Sequence, residues 1–220
     1  WYTDSDGLPK PAKDASSSFW DCGNVNYFGK HIMTTQDDET ALGQGSSVKM
    51  ETQETMKIIA AGNIFTGTFE RDGMGGILTL GRNFECRPNK LKGYYKYTSA
   101  KVSVSKGHLN EGEDDLCSLY IALTDEQITV NTNKGIYFDP NSSAVIAYGS
   151  ISDEESKGAD SFKEFTVDLE YKDLKRIPKY IIVVASSCIY GDYMEGGKGS
   201  TMWLDDLELV YPKSMEEVRK

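Results

Sequence analysis

Residues 203–211 read Trp203-Leu204-Asp205-Asp206-Leu207-Glu208-Leu209-Val210-Tyr211 and alternate with the period of two that belongs to a β-strand. Read as one unbroken strand, Trp203, Asp205, Leu207, Leu209 and Tyr211 share one face, and Asp206 and Glu208 share the other. A carboxylate at 205 then points where the apolar residues point. Burying a lone charge is costly, so Asp205 needs hydrogen-bond donors or a cation. The pattern predicts a buried Asp205 satisfied by backbone N–H groups of a neighbouring loop or by a structural calcium ion. With one carboxylate, such a calcium site would draw on backbone carbonyls to complete six or more oxygens.

The same period marks further strands at 46–53, 77–80, 94–104, 116–123, 144–151 and 162–171, with Phe165, Val167, Leu169 and Tyr171 on one face of the last. Residues 180–187 are nearly all apolar and predict a central strand covered on both sides. The 21 Gly and 13 Tyr suit many turns and aromatic-bearing strands. Helix is scarce: a turn at 57–61, a short start at 124–127 and a tail beyond 211. The expectation is an all-β, jelly-roll-like two-sheet sandwich over 19–211. Residues 1–18 read as a linker-like N-terminal segment and 212–220 as a C-terminal tail. A chain of 220 residues suffices for one such core.

Net charge is −10, which argues against nucleic acid and anionic membrane surfaces as partners. No stretch approaches the roughly 20 apolar residues of a membrane span. The chain starts at Trp1 without Met, and its polar first residues suggest a processed or truncated product that follows an upstream domain. Cys22, Cys86, Cys117 and Cys188 are far apart with no CxxC spacing, so zinc is not expected. Free thiols and any of three disulfide pairings stay open. The acidic stretches 111–115 and 153–160 read as solvated loops. His31 and His108 lie in polar stretches without a nucleophile partner, and 73–76 reads as a plain turn.

Four phrases occur in a specific order: Ala60-Ala61-Gly62-Asn63-Ile64-Phe65-Thr66-Gly67; Phe84-Glu85-Cys86-Arg87-Pro88-Asn89-Lys90-Leu91-Lys92-Gly93-Tyr94-Tyr95-Lys96-Tyr97; residues 186–192; and the closing strand. Together they resemble the "Putative carbohydrate metabolism domain" of Bacteroidetes cell-envelope proteins, over about 19–211. The resemblance implies a sandwich similar to carbohydrate-binding modules, placed behind small β-domains in secreted or lipid-anchored (lipoprotein) surface proteins. It supplies no catalytic residue set.

A pyranose stacks its apolar face on a flat ring while its hydroxyls seek hydrogen bonds. Trp20, Tyr95 and Tyr97 are the candidate platform, and Arg87, before Pro88, the candidate polar anchor, unless it pairs with an acid such as Glu85. Which face of the Tyr-rich strand is core stays open. The loop 191–197, with Tyr193, is the rival site at one end of the sandwich. The reading is a non-catalytic surface module that captures glycan or polysaccharide. The alternatives are a structural or adhesion domain without a sugar ligand, and a jelly-roll glycoside hydrolase or polysaccharide lyase.

Overall fold

The computed structural model describes residues 1–212. Two antiparallel sheets face each other. The larger runs in the order Ile128–Asn131, Gly75–Leu80, Asn63–Asp72, Tyr180–Ser186, Ser118–Thr124, Val145–Ser150, Glu170–Tyr171, with Trp20–Asp21 and Arg82–Asn83 pairing from the side. The smaller runs Ala159–Asp168, Lys90–Thr98, Thr201–Val210, Ser47–Glu51, Thr34–Asp37. This is the expected all-β, jelly-roll-like sandwich.

The core lies between the sheets. Lys90–Thr98 alternates strictly, and Leu91, Tyr95 and Tyr97 point inward with Phe165 and Val167 of the neighbouring strand. They meet Leu119, Ile121, Ile181 and Val183 of the larger sheet. The Tyr180–Ser186 strand is central, as its apolar run predicts. Its odd residues enter this core, while Ile182 and Val184 join a second apolar cluster on the sheet's outer face with Phe65, Leu80 and Val130. An outer face built this way is not an ordinary solvated one.

The closing strand departs from the alternation read from its sequence. Lys92 pairs with Glu208 and Tyr94 with Asp205, so this strand steps three residues where its partner steps two. The extra residue is Asp206, whose φ of 48° is left-handed. Such a bulge reverses which residues face in. Met202 and Leu204 enter the core before it, and Leu207 and Leu209 pack against the core after it. Trp203 therefore lies on the opposite face, with the Lys96 ammonium 3.9 Å from its ring centroid.

Three local expectations are corrected. Residues 57–61 form no helix: Gln53–Thr55 and Ile58–Ala60 make a hairpin whose two turn residues, Met56 and Lys57, both have positive φ, as a type I′ turn requires. Residues 124–127 form the connection between two strands, where the Thr124 hydroxyl donates to the Glu126 carbonyl at 2.7 Å. The one-turn helix is Asp153–Ser156, started by a reciprocal Ser152–Glu155 capping box. The N-terminal stretch contains the small pairing of Tyr2–Thr3 with Pro9–Lys10. It is anchored by buried Leu8 and by Lys10 Nζ, 3.0 Å from Asp21 Oδ1. Residues 213–220 of the expected tail lie outside the described residues.

Candidate functional site on the outer face of the larger sheet

The outer face of the larger sheet carries a cavity of about 200 Å³. Register arranges its floor in rows. Asn63, Ser186 and Ser118 stand side by side across three strands, and Phe65, Val184 and Tyr120 form the next row. Phe69, Leu78 and Val130 form a third row on the flanking strands. Same-face residues on one strand are about 6.6 Å apart, so the floor changes from polar to apolar over one sugar-sized step. A Cβ on Gly76 would fall 2.2 Å from the Phe69 ring, so the glycine makes room for that ring.

Loops wall the cavity. Tyr27 and Arg71 close one side, with the guanidinium 4.5 Å from the Tyr27 ring centroid and Arg71 Nη1 donating to the Gly73 carbonyl at 3.2 Å. Residues 189–194 close another. Gly191 fits close against Ala61 and Ser186, since its Cβ would lie 2.5 Å from Ala61 Cβ and 3.5 Å from Ser186 Oγ. Beside the floor, Tyr120 stacks on Phe138 with ring centroids 4.9 Å apart.

Asp192 is the one carboxyl in the lining. Burial pushes it above the ordinary carboxylate range. Among the described residues no group donates a hydrogen bond to it, and the Tyr120 hydroxyl is likewise without a partner. Burial, then the nearby Asp192 charge, push the Tyr120 hydroxyl up as well. Two polar groups of the floor are committed. Asn63 Oδ1 accepts from Gly23 N at 2.8 Å, and Ser186 Oγ donates to the Cys188 carbonyl at 2.9 Å.

The loop continues into an aromatic cluster. Tyr193 stacks on Tyr137 at 4.0 Å, and His108 lies 4.5 Å from Tyr190 and 4.3 Å from Tyr193 between ring centroids. His108 Nδ1 is 2.9 Å from buried Glu195 Oε2. Burial pushes Glu195 up, but N–H donors from Leu109 and His108 outweigh it and hold the carboxyl below its usual value. His108 thus ties one loop to another.

The sequence-chosen platform is corrected. Tyr95 and Tyr97 are 0% and 2% exposed. Their hydroxyls are used internally, Tyr95 donating to the Glu155 carbonyl at 2.9 Å and Tyr97 to the Ser187 carbonyl at 3.1 Å. They fill the inter-sheet core because their face is the inward one. Trp20 is partly buried and packs against that core. Arg87 Nη2 donates to the Arg176 carbonyl, and its guanidinium lies 5.6 Å from the Tyr171 ring centroid. Arg87 stands near the start of the Tyr180–Ser186 strand and Tyr193 beyond its end, about 20 Å apart at 3.3 Å per residue. These residues make no common site. The rival loop 191–197 is the one that reaches the cavity.

Asp205 is buried, but the expected face is corrected: it precedes the bulge, so it lies on the face of Trp203 and not on that of Leu207 and Leu209. Its Oδ2 accepts from Ala41 N at 2.8 Å and its Oδ1 from Asp206 N at 3.0 Å. No group of three or more His, Cys, Asp or Glu side chains converges among the described residues. All four cysteines are free thiols, and only Cys86 is exposed. No described helix is long and apolar enough to cross a membrane.

A model of the family described as "Putative carbohydrate metabolism domain" matches residues 2–210. The chain belongs to this family. A solved structure from Bacteroides thetaiotaomicron, described as a putative glycoside hydrolase, is 25% identical with a TM-score of 0.67, over 83% of this chain and 58% of that one. A second from Bacteroides vulgatus, described in the same words, is 23% identical with a TM-score of 0.65, over 81% of this chain and 77% of that one. The carbohydrate metabolism domain seen here thus spans little more than half of the first. No curated protein matches the chain.

Proposed function

We propose that this domain is a glycan-binding module that holds its ligand in the outer-face cavity and releases it unchanged. The observation that carries the reading is the lining: aromatic rings of Phe69, Tyr120 and Tyr27 around one unpartnered carboxyl, Asp192. Rings receive the apolar face of a sugar, and unpaired polar groups receive its hydroxyls. Hydrolysis by the usual route uses two carboxyl groups about 5–10 Å apart across the bond, and this lining supplies one. Hydrolysis is the rival reading because of the relatives' description, and the longer of them contains sequence that this chain does not cover. In the proposed setting the module sits on the bacterial surface, in a secreted or lipid-anchored protein, behind an upstream β-domain that delivers it to polysaccharide.

The test is calorimetric titration against a panel of neutral and acidic polysaccharides and their oligosaccharides, with a reducing-end assay on the same samples. Binding without new reducing ends is expected. Phe69→Ala should weaken binding at least about tenfold, the scale of one lost stacking contact with its apolar area, while Tyr193→Ala tests the edge of the site. Release of new ends would replace the binding reading with the hydrolytic one. Silence toward every glycan would favour a structural domain.

A further inference from the structure

The Asp115–Cys188 network is sealed from solvent, and the groove at 51–55 is lined by polar side chains with no ring or apolar side chain among them. The cavity floor carries more. Its first row is polar, its second is Phe65, Val184 and Tyr120, and its third is Phe69, Leu78 and Val130. Beside it stand the Asp192 carboxyl, which can only accept when ionised, and the Ser118 hydroxyl, which can do either.

Resting on the glycan reading, we propose that the cavity selects a sugar unit carrying a methyl group beside a hydrogen-bond donor, with Asp192 accepting from that donor. The two sources of this chemistry are a 6-deoxyhexose and an N-acetylhexosamine. An unsubstituted hexose bears a hydroxyl on nearly every ring carbon, and some of these would face Val184, Phe69 and Leu78 with no partner. Leaving a polar group unpaired in an apolar lining is unfavourable. A methyl group fills the same space at no such cost. A volume of about 200 Å³ lies below the roughly 300–1,000 Å³ of pockets that enclose a drug-sized molecule. With Tyr27–Arg71 on one side and residues 189–194 on another, it takes one unit, at a chain end or on a branch.

Calorimetry or ligand-observed NMR with free sugars tests this. The probes are matched pairs: L-fucose against L-galactose, and N-acetylglucosamine against glucose. At least one methyl-bearing sugar should bind about tenfold or more tighter than its partner, the usual worth of one methyl-sized group in an apolar pocket. Which pair shows the gap identifies the source. Asp192→Asn should remove most of the affinity for the preferred sugar. Val184→Thr, nearly equal in shape, should weaken the methyl-bearing sugar and so narrow the gap within its pair. Melting curves of both variants establish that they fold. Equal binding within both pairs, or unchanged binding by Asp192→Asn, overturns this inference and leaves the glycan reading standing. Polysaccharide binding with no response to any free sugar also overturns it. No response to any glycan at all overturns both.

Discussion

The Asp115 carboxylate accepts the Cys188 thiol at 2.7 Å, and both side chains are sealed from solvent. The same oxygen accepts from Gly197 N and Ser200 Oγ, each at 2.8 Å, and the other from Leu116 N at 2.8 Å. One acid therefore joins the 115–117 segment, the turn after the central strand and the entry to the closing strand. Asp115→Ala leaves four buried donors without an acceptor. It should cost about 3 kcal/mol or more, since each unsatisfied buried group costs roughly 1–3 kcal/mol. Urea unfolding checks this, and a midpoint equal to the parent's would refute the role.

The thiols should differ sharply in reactivity. Burial pushes Cys22 up to about 11 and Cys117 up to about 12, and raises Cys188 well above the usual thiol value. A thiolate is the reacting form. Brief iodoacetamide treatment of the native protein at pH 8 should label exposed Cys86 and spare the other three, which react after denaturation. Mass spectrometry of the digest reads the outcome, and native labelling of Cys188 would contradict the packing.

Asp192 predicts a pH dependence with a definite sign. Its folded-state pKa is raised by burial, so folding shifts the group toward its protonated form relative to the unfolded chain. The stability that this contributes is fully present below the unfolded pKa of about 3.9 and is lost as pH rises through the folded value. Asp192→Asn cannot titrate. The parent should therefore lose stability relative to the variant over the pH range above the unfolded value. A constant difference across that range, measured by urea midpoints, would show that Asp192 is not desolvated.

Asp205 should behave as a structural acceptor. Asp205→Ala orphans the Ala41 and Asp206 N–H groups and should destabilise by about 1–3 kcal/mol. If calcium also uses this carboxylate, chelator will lower the melting temperature of the parent and leave the variant unmoved. A variant that melts like the parent would end the buried role.

The sheet architecture was legible because alternation is a local property. Phe165, Val167 and the apolar run at 180–186 reach their expected positions for that reason. What local pattern lacks is sign: Tyr95 and Tyr97 share a face, but only the opposing sheet makes that face the inward one. The cavity was hidden for a related reason. Its floor is assembled from residues far apart in sequence, such as Asn63, Ser118 and Ser186, which register alone brings into one row. The loop at 191–197 is legible because it joins two core strands, but its aromatic, Tyr193, stands out in the sequence more than Asp192. The available signal was an acid between Gly191 and an aromatic, in a loop otherwise flanked by apolar strands.

The left-handed residue at 206 makes backbone conformation, rather than side-chain identity, the constrained quantity in the closing strand. Asparagine or glycine can adopt that conformation readily, so the position is permissive to exchange. Removing the residue altogether would let the strand pair without a bulge, with Leu204, Leu207 and Leu209 alternating on the inward face. An ordinary extended conformation at 206 with the residue kept would instead carry Leu207 and Leu209 out of the core and turn Glu208 inward, inverting half a strand without altering a single amino acid.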